Sequence, residues 1–189
     1  MRFFQSLQNE GISAPAQIRL LNNTFLRLGF SFSAVPFVGI PFAIWIYMLG
    51  DDLGPTIIWI IIYLLCAGAI RLLHRRYQRE AKENGDRDVL RRWLPRINNI
   101  AFIHGLGISS LYLITPQTQN VDFFLFLNIS IAAIVAANAT HLTPVISTFT
   151  RFFFASWGVL NLGIIWRLDE LMFIVLMLNL LYGFAIYRH

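Results

Sequence analysis

The chain has 189 residues, of which 57% are hydrophobic and 13% are charged, and its formal net charge is +5. Soluble domains average about half apolar and about a quarter charged residues, so this composition excludes an ordinary soluble domain and indicates a membrane protein. The positive charge does not indicate nucleic-acid binding, because eight of the fifteen basic residues fall in the stretch 75–96, between two apolar segments.

The first 27 residues are polar and basic, and they lack the apolar core of a removable signal peptide. Within them, the segment 17–27 has apolar residues among polar neighbours. It predicts an amphipathic helix that lies along the inner leaflet before the chain turns into the membrane. We therefore expect a cytoplasmic N-terminal segment, 1–27, followed by a membrane domain, 28–189.

Six apolar segments follow, each close to the roughly 20 residues that a helix needs to cross the hydrocarbon core. The segments are Leu28–Leu49, Gly54–Leu73, Ile97–Thr115, Val121–Leu142, Ile146–Trp166 and Leu168–Tyr187. They are continuous rather than alternating, which excludes a transmembrane β-barrel. The predicted fold class is all-α: a polytopic bundle of six transmembrane helices with an N-terminal amphipathic helix.

The basic residues predict the orientation of this bundle. Of the fifteen, all but Arg167 lie before the first segment, in or beside the loop 74–96, or at the same end of later segments. Cytoplasmic loops are enriched in arginine and lysine, so both termini are predicted to be cytoplasmic. The loop itself is expected to hold two helical extensions that break at Asn84 and Gly85, with Asp86 able to cap the second.

Polar residues inside apolar segments are costly and often functional. His104 is the most interior ionisable residue, roughly 10 Å from the cytoplasmic boundary at about 1.5 Å per residue. Asn138 and His141 share a helix face in the cytoplasmic half of the fourth segment. These three residues are predicted to form the floor of a polar pocket that binds a ligand headgroup. Hydrogen bonding between helices is the alternative, with His141 facing water.

Ser109 and Asn128 add polarity in the outer half and complete the predicted ligand contacts, although no spacing specifies a ligand. Small residues recur at every fourth position in the third and fourth segments, which predicts that these two helices form the centre of the bundle. The residues are Ala101, Gly105 and Ser109, and Ala132, Ala136 and Thr140.

The first segment contains Pro36 and Pro41, with Gly39 between them. Proline removes a backbone donor and kinks a helix, so this stretch is predicted to be a hinge or a side entrance from the bilayer. A static bend is the alternative.

Catalytic patterns are missing from the sequence. No Asp or Glu lies in the central part of any segment, and no H-E-x-x-H, G-x-S-x-G or phosphate-loop motif occurs. A haem would need two histidines at similar depth, which His104 and His141 do not provide. We therefore expect neither an enzyme nor a bound metal or cofactor.

Several features resemble the membrane input domains of bacterial sensor histidine kinases and diguanylate cyclases. Arg91-Arg92-Trp93 precedes His104-Gly105-Leu106-Gly107 in the third segment. The alanine-rich fourth segment ends before Thr143-Pro144, and the aromatic run Phe152-Phe153-Phe154 follows. The resemblance covers residues 17–189.

This resemblance implies a homodimeric sensory module in the bacterial inner membrane, whose last helix continues into a cytoplasmic kinase or cyclase. Some relatives respond to diffusible fatty-acid-type quorum signals, so a small apolar signal and membrane lipid are the expected partners. No transmitter domain follows the sixth segment, so either the chain is an excised sensor domain or the resemblance misleads. The alternative is a small stand-alone transporter or channel-like protein.

Overall fold

The computed structural model describes residues 13–115, 120–142, 145–166 and 170–188. These residues form six α-helices, and no strand occurs in these ranges. The helices are α1 (Ala14–Leu49), α2 (Gly54–Glu83), α3 (Asp86–Ile114), α4 (Val121–Leu142), α5 (Ile146–Trp166) and α6 (Glu170–Arg188). Each is long and apolar enough to cross a membrane, which confirms the predicted all-α fold of a multi-pass membrane protein.

Helices α2 and α3 extend beyond their apolar segments, as predicted, and break at Asn84 and Gly85. With 30 residues, α2 is about 45 Å long, whereas the hydrocarbon core is about 30 Å thick. Residues 74–83 therefore lie outside its membrane-spanning part. The residue before the first helical turn of α3 is Gly85, and no side chain caps this end, so Asp86 is not the cap.

Helix α1 runs without interruption for 36 residues. The predicted turn between the segment 17–27 and the first span is therefore wrong. The apolar face of this segment does not lie along the leaflet as a separate helix, because its Phe25 ring packs against Tyr77 at 5.4 Å and against Trp93 at 5.9 Å, measured between centroids. Aromatic residues from the extensions of α2 and α3 therefore cover the apolar face that was expected to contact lipid.

The extensions of three helices thus form a layer of their own, here called the extension layer. It consists of residues 14–27 of α1, 74–83 of α2 and 86–96 of α3. The buried Tyr77 hydroxyl donates a hydrogen bond to the carbonyl of Ile18 at 3.2 Å, and the indole N–H of Trp93 donates to Glu80 at 2.8 Å. Burial, and to a smaller extent the negative charge of Asp86, raises the pKa of Tyr77 to about 12, so the phenol keeps the proton that it donates.

Helix α3 is the centre of the bundle, and its most extensive contact is with α5. A Cβ atom at Gly105 would lie 2.5 Å from the carbonyl oxygen of Phe152, so only glycine allows the two backbones to approach this closely. The prediction of a central α3–α4 pair is therefore right about α3 and wrong about α4.

Helix α6 lies at the periphery and packs mainly on α5. Its buried residues are Met172, Val175, Asn179 and Gly183, which recur at three- and four-residue spacing. That spacing describes one narrow stripe along the helix, and most of the remaining described side chains are exposed.

Candidate functional site

His104 lies on α3 and is completely buried, with a relative exposure of 0%. Its Nε2 atom lies 2.7 Å from the hydroxyl oxygen of Ser31 on α1. The imidazole packs against Phe32 at 4.1 Å, against Phe152 of α5 at 5.7 Å, and against Tyr63 of α2 at 5.9 Å, between ring centroids. These five residues from four helices are called the His104 cluster below.

Aromatic side chains of α2 hold the backbone of α3 beside this cluster. The Tyr63 hydroxyl donates to the carbonyl of His104 at 3.1 Å, and the Trp59 indole N–H donates to the carbonyl of Gly107 at 2.8 Å. A Cβ atom at Gly107 would lie 2.5 Å from the Tyr63 hydroxyl oxygen. The glycine therefore makes room for the phenol, and the two hydrogen bonds fix the height of α2 against α3.

The second ring nitrogen of His104, Nδ1, differs from Nε2 in its surroundings. Nδ1 is buried and makes no hydrogen bond within the described part of the chain. In a neutral imidazole, one nitrogen carries a proton and donates a hydrogen bond, and the other nitrogen accepts a hydrogen bond. If Ser31 donates to Nε2, then Nδ1 carries a proton without an acceptor; if Ser31 accepts, then Nδ1 is an acceptor without a donor. A buried polar group left in this state costs about 1–3 kcal/mol.

The predicted hinge lies one turn further along α1 from this cluster. Pro36 is buried and Pro41 is exposed, and both lie inside an unbroken helix. A Cβ atom at Gly39 would lie 2.9 Å from the Trp59 ring and 3.0 Å from Ile60, so α1 and α2 are in close contact here. The structure thus gives Gly39 a packing role, and a hinge or entrance at this stretch stays a prediction.

The other predicted ligand contacts are placed separately. Asn128 exchanges two hydrogen bonds with Asn179 of α6, at 3.4 and 3.0 Å. Asn138 is buried and donates to the carbonyl of Ile134, one turn back on its own helix, at 3.0 Å. The Ser109 hydroxyl is buried and has no hydrogen-bond partner among the described residues.

The side chain of His141 lies outside the described residues. No hydrogen bond or ring contact described for His104 involves Asn138, Ser109 or Asn128. Their joint role as one ligand site therefore stays a prediction, and His104 is the member with the most developed surroundings.

Sequence reasoning missed four residues that matter here: Ser31, Tyr63, Phe152 and Asn179. Ser31 and Asn179 are polar residues within apolar segments, which is a signal that can be read from the sequence. Nothing in the sequence shows which helix each of them faces, because the Ser31–His104 contact joins residues 73 positions apart.

Helix α5 connects the His104 cluster to α6. Phe152 contacts His104, and Trp157, slightly more than one turn further on, lies directly against Gly183 of α6. The buried indole N–H of Trp157 has no hydrogen-bond partner in the described ranges. Near the C-terminal end of α6, the Tyr187 ring packs against Phe153 at 5.6 Å between centroids.

No group of three or more potential metal ligands occurs among the described residues. No protein-family model, curated protein or solved structure matches the chain. The fold and the buried cluster define a multi-pass membrane protein of six helices, four of which surround a buried histidine.

Proposed function

We propose that the chain is a membrane-embedded sensory input module that binds a small hydrophobic signal within the bundle. It relays the signal through α6 to a cytoplasmic kinase or cyclase, as a homodimer in the bacterial inner membrane with both termini in the cytoplasm. The observation that carries this proposal is the Nδ1 atom of His104, which has no hydrogen-bond partner among the described residues and is enclosed among aromatic rings where four helices meet.

The chemistry of this cluster matches an amphiphilic signal. A ligand hydroxyl or carboxyl group near Nδ1 would supply the missing hydrogen bond and recover its free energy. Phe32 and Phe152 would contact an apolar chain, as rings and alkyl groups do in most ligand sites. A fatty-acid-like molecule has both parts.

The relay would run through α5. A ligand that turns the Phe152 ring away from His104 changes how the side chains of α5 pack against α6, because α5 also carries Trp157 and the rings that contact α6. The backbones of α3 and α5 stay together during this change. Such a signal works only if the ligand binds one helix arrangement more tightly than the other. The narrow contact stripe of α6 supports this helix as the moving part.

The proposal requires no catalytic group in the chain itself. The stand-alone transporter considered above would be favoured by a continuous polar path across the bundle. Instead, the buried polar residues that the structure describes form local contacts such as Ser31–His104 and Asn128–Asn179.

Binding is tested with the purified chain in lipid nanodiscs and dodecanoic acid as the probe, by isothermal titration. His104→Ala is expected to weaken binding roughly tenfold, because it removes the predicted polar contact. The matched control is Asn98→Ala on the same helix. Asn98 is also buried, and its oxygen accepts hydrogen bonds from Ser147 at 3.1 Å and Thr148 at 2.6 Å, neither of which belongs to the His104 cluster.

Asn98→Ala is expected to lower stability while dodecanoic acid binds as before. If His104→Ala and the unmodified chain bind this probe equally, His104 is not a signal contact.

The relay is tested with spin labels in a Cys66→Ser background, since the chain has one cysteine. Labels at the exposed positions 158 and 178 report the α5–α6 distance, and labels at 158 and 102 report the α3–α5 distance. Dodecanoic acid is expected to change the first distance and not the second. Equal changes, or a change only between α3 and α5, would rule out α6 as the output helix.

A further inference from the structure

Outside the membrane-spanning part, the extensions of α1 and α2 enclose an open groove with a volume of about 520 Å³. Residues of both helices line it, among them Arg19, Asn22 and Asn23 of α1 and Gln78, Ala81 and Lys82 of α2. The groove is thus built by two helices from different parts of the chain.

Two basic residues, Arg19 and Lys82, line this groove. Neither Arg19 nor Lys82 has a hydrogen bond or an ion pair within the described ranges. The side-chain oxygen of Asn22 lies 3.2 Å from Nε2 of His74, which leaves the NH₂ group of Asn22 free to donate elsewhere. No carboxylate occurs among the described lining residues. Cations and amide donors without a carboxylate select an anion.

The groove also lies at a defined depth. Gln78 is five residues beyond Leu73, about 7 Å past the end of the apolar segment, and Asn22 is six residues before Leu28, about 9 Å past it. The headgroup region of a bilayer extends roughly 5–8 Å beyond the hydrocarbon on each side. Asn22 and Gln78 therefore lie at the outer edge of the headgroup region. Arg19 and Lys82 each lie nine residues past their apolar segment, about 14 Å along the helix, and their long side chains can reach back toward the lipid phosphates.

We propose that this groove binds the phosphate of an anionic phospholipid headgroup. The Arg19 guanidinium presents a planar pair of donors that matches two phosphate oxygens, and the Lys82 ammonium adds a point charge from the opposite wall. The bound lipid joins the extension of α1 to that of α2. This site is separate from the His104 cluster and does not depend on the proposed sensory function.

The test uses the full chain in phosphatidylcholine nanodiscs that contain a small fraction of phosphatidylglycerol. Native mass spectrometry then counts the phosphatidylglycerol molecules that remain bound after release of the protein. The unmodified chain is expected to retain phosphatidylglycerol in preference to phosphatidylcholine. Arg19→Gln with Lys82→Gln is expected to reduce this retention roughly tenfold, given the attraction of each basic residue to an anionic membrane surface.

The matched control is Arg87→Gln with Arg91→Gln, which removes the same charge from exposed positions of α3 in the extension layer. This variant is expected to retain phosphatidylglycerol like the unmodified chain. A second variant, Ala81→Phe, fills the groove without changing any charge and is expected to lose retention as the double variant does. Equal helicity by circular dichroism in pure phosphatidylcholine shows that each variant is folded.

Two results would overturn the proposal. If the groove variant and the control variant lose phosphatidylglycerol equally, the attraction is a general property of the basic surface, and the groove is not a site. If glycerol phosphate in solution displaces the lipid at equal concentration, the groove binds soluble phosphate compounds rather than a lipid.

Discussion

Helix α5 has two neighbours that contact it in different ways. Its contact with α3 includes the backbone, because Gly105 allows the main chain of α3 to approach the carbonyl of Phe152. The oxygen of Asn98 on α3 also accepts hydrogen bonds from Ser147 and Thr148 in the first turn of α5. These contacts leave little freedom for either helix to slide.

The contact of α5 with α6 consists mainly of side chains. Gly183 of α6 lies against the Trp157 indole, and the Tyr187 ring packs on phenylalanines of α5. A polar link reaches past α5, because Asn179 of α6 bonds to Asn128 of α4. Side chains can change rotamer at a lower cost than backbones can separate, so α6 should move before α3 and α5 part. Such packing gives the bundle one fixed pair of helices, α3 and α5, and one helix, α6, that can be released.

The largest expected effect comes from Gly105→Ala. The new methyl group would clash with the backbone carbonyl oxygen of Phe152, which cannot move aside as a side chain can. We therefore expect a loss of about 3 kcal/mol in the free energy of unfolding. Thermal or denaturant unfolding in detergent micelles measures it. The control is Gly158→Ala on α5, where a Cβ atom has no neighbour within 4 Å and stability should hold or rise slightly. Equal losses would mean that α3 and α5 are not in backbone contact.

Asn179→Leu should have a smaller effect that is confined to α6. It leaves Asn128 without its partner, and interhelical polar contacts in membranes contribute about 0.6–2 kcal/mol. Proteolysis near the C-terminus should accelerate while global unfolding changes little. The double variant Asn128→Leu with Asn179→Leu should recover part of the loss, because no amide is then unpaired. No recovery would argue against a direct pair.

Tyr187→Ala should release the last turns of α6 at a cost of about 1 kcal/mol, since its ring packs on Phe149, Phe153 and Phe154 but is itself partly exposed. Spin-label mobility near the end of α6 measures the release. Tyr47→Ala on α1 is the control, because Tyr47 is more exposed than Tyr187. Equal mobility in both variants would contradict the proposed aromatic contact.

The smallest expected effect is a pH dependence of the extension layer. The hydrogen bond from Trp93, and after it the one from Arg76, lowers the pKa of Glu80 below its ordinary value of 4.5. A carboxyl group whose pKa is lowered in the folded state stabilises the folded state when the pH is above the ordinary pKa of the group. This stabilisation is lost as the pH falls through the lowered pKa. The layer should therefore loosen in acid.

Hydrogen exchange in the segment 84–93, compared at about pH 6 and about pH 3, measures this loosening. The Glu80→Gln variant should show a weaker dependence on pH once intrinsic exchange rates are removed. Glu83→Gln, an exposed change on the same helix, should behave like the unmodified chain. A Glu80→Gln variant with an unchanged pH dependence would refute the role of this carboxylate.

The fold could be predicted largely from the sequence because the bilayer imposes a length on each apolar segment. Val121–Leu142 and Ile146–Trp166 begin and end where the sequence predicts, and the break at Asn84-Gly85 is also confirmed. The continuity of α1 was missed, because an amphipathic face fits lipid as well as protein. Only the positions of Tyr77 and Trp93 decide between them.

The candidate site could be predicted only in part. His104 stands out in the sequence as an ionisable residue at depth, and the structure encloses it completely. Its partner Ser31 could not be predicted, because helix neighbours depend on how all side chains pack together. The same holds for the α3–α5 contact, since small residues on α4 predicted an equally close approach there.

Helix α1 extends about 54 Å without a break, from the extension layer into the membrane. This one helix carries both Asn22, which lines the groove between α1 and α2, and Ser31, which contacts His104. The two residues lie about 14 Å apart along the helix. A lipid that shifts α1 therefore shifts one wall of the His104 cluster as well. Thermodynamic linkage then requires reciprocity: by whatever factor the lipid changes the affinity for a signal, the signal changes the affinity for the lipid. Under the proposed sensory function, membrane composition would set the sensitivity of the module to its signal.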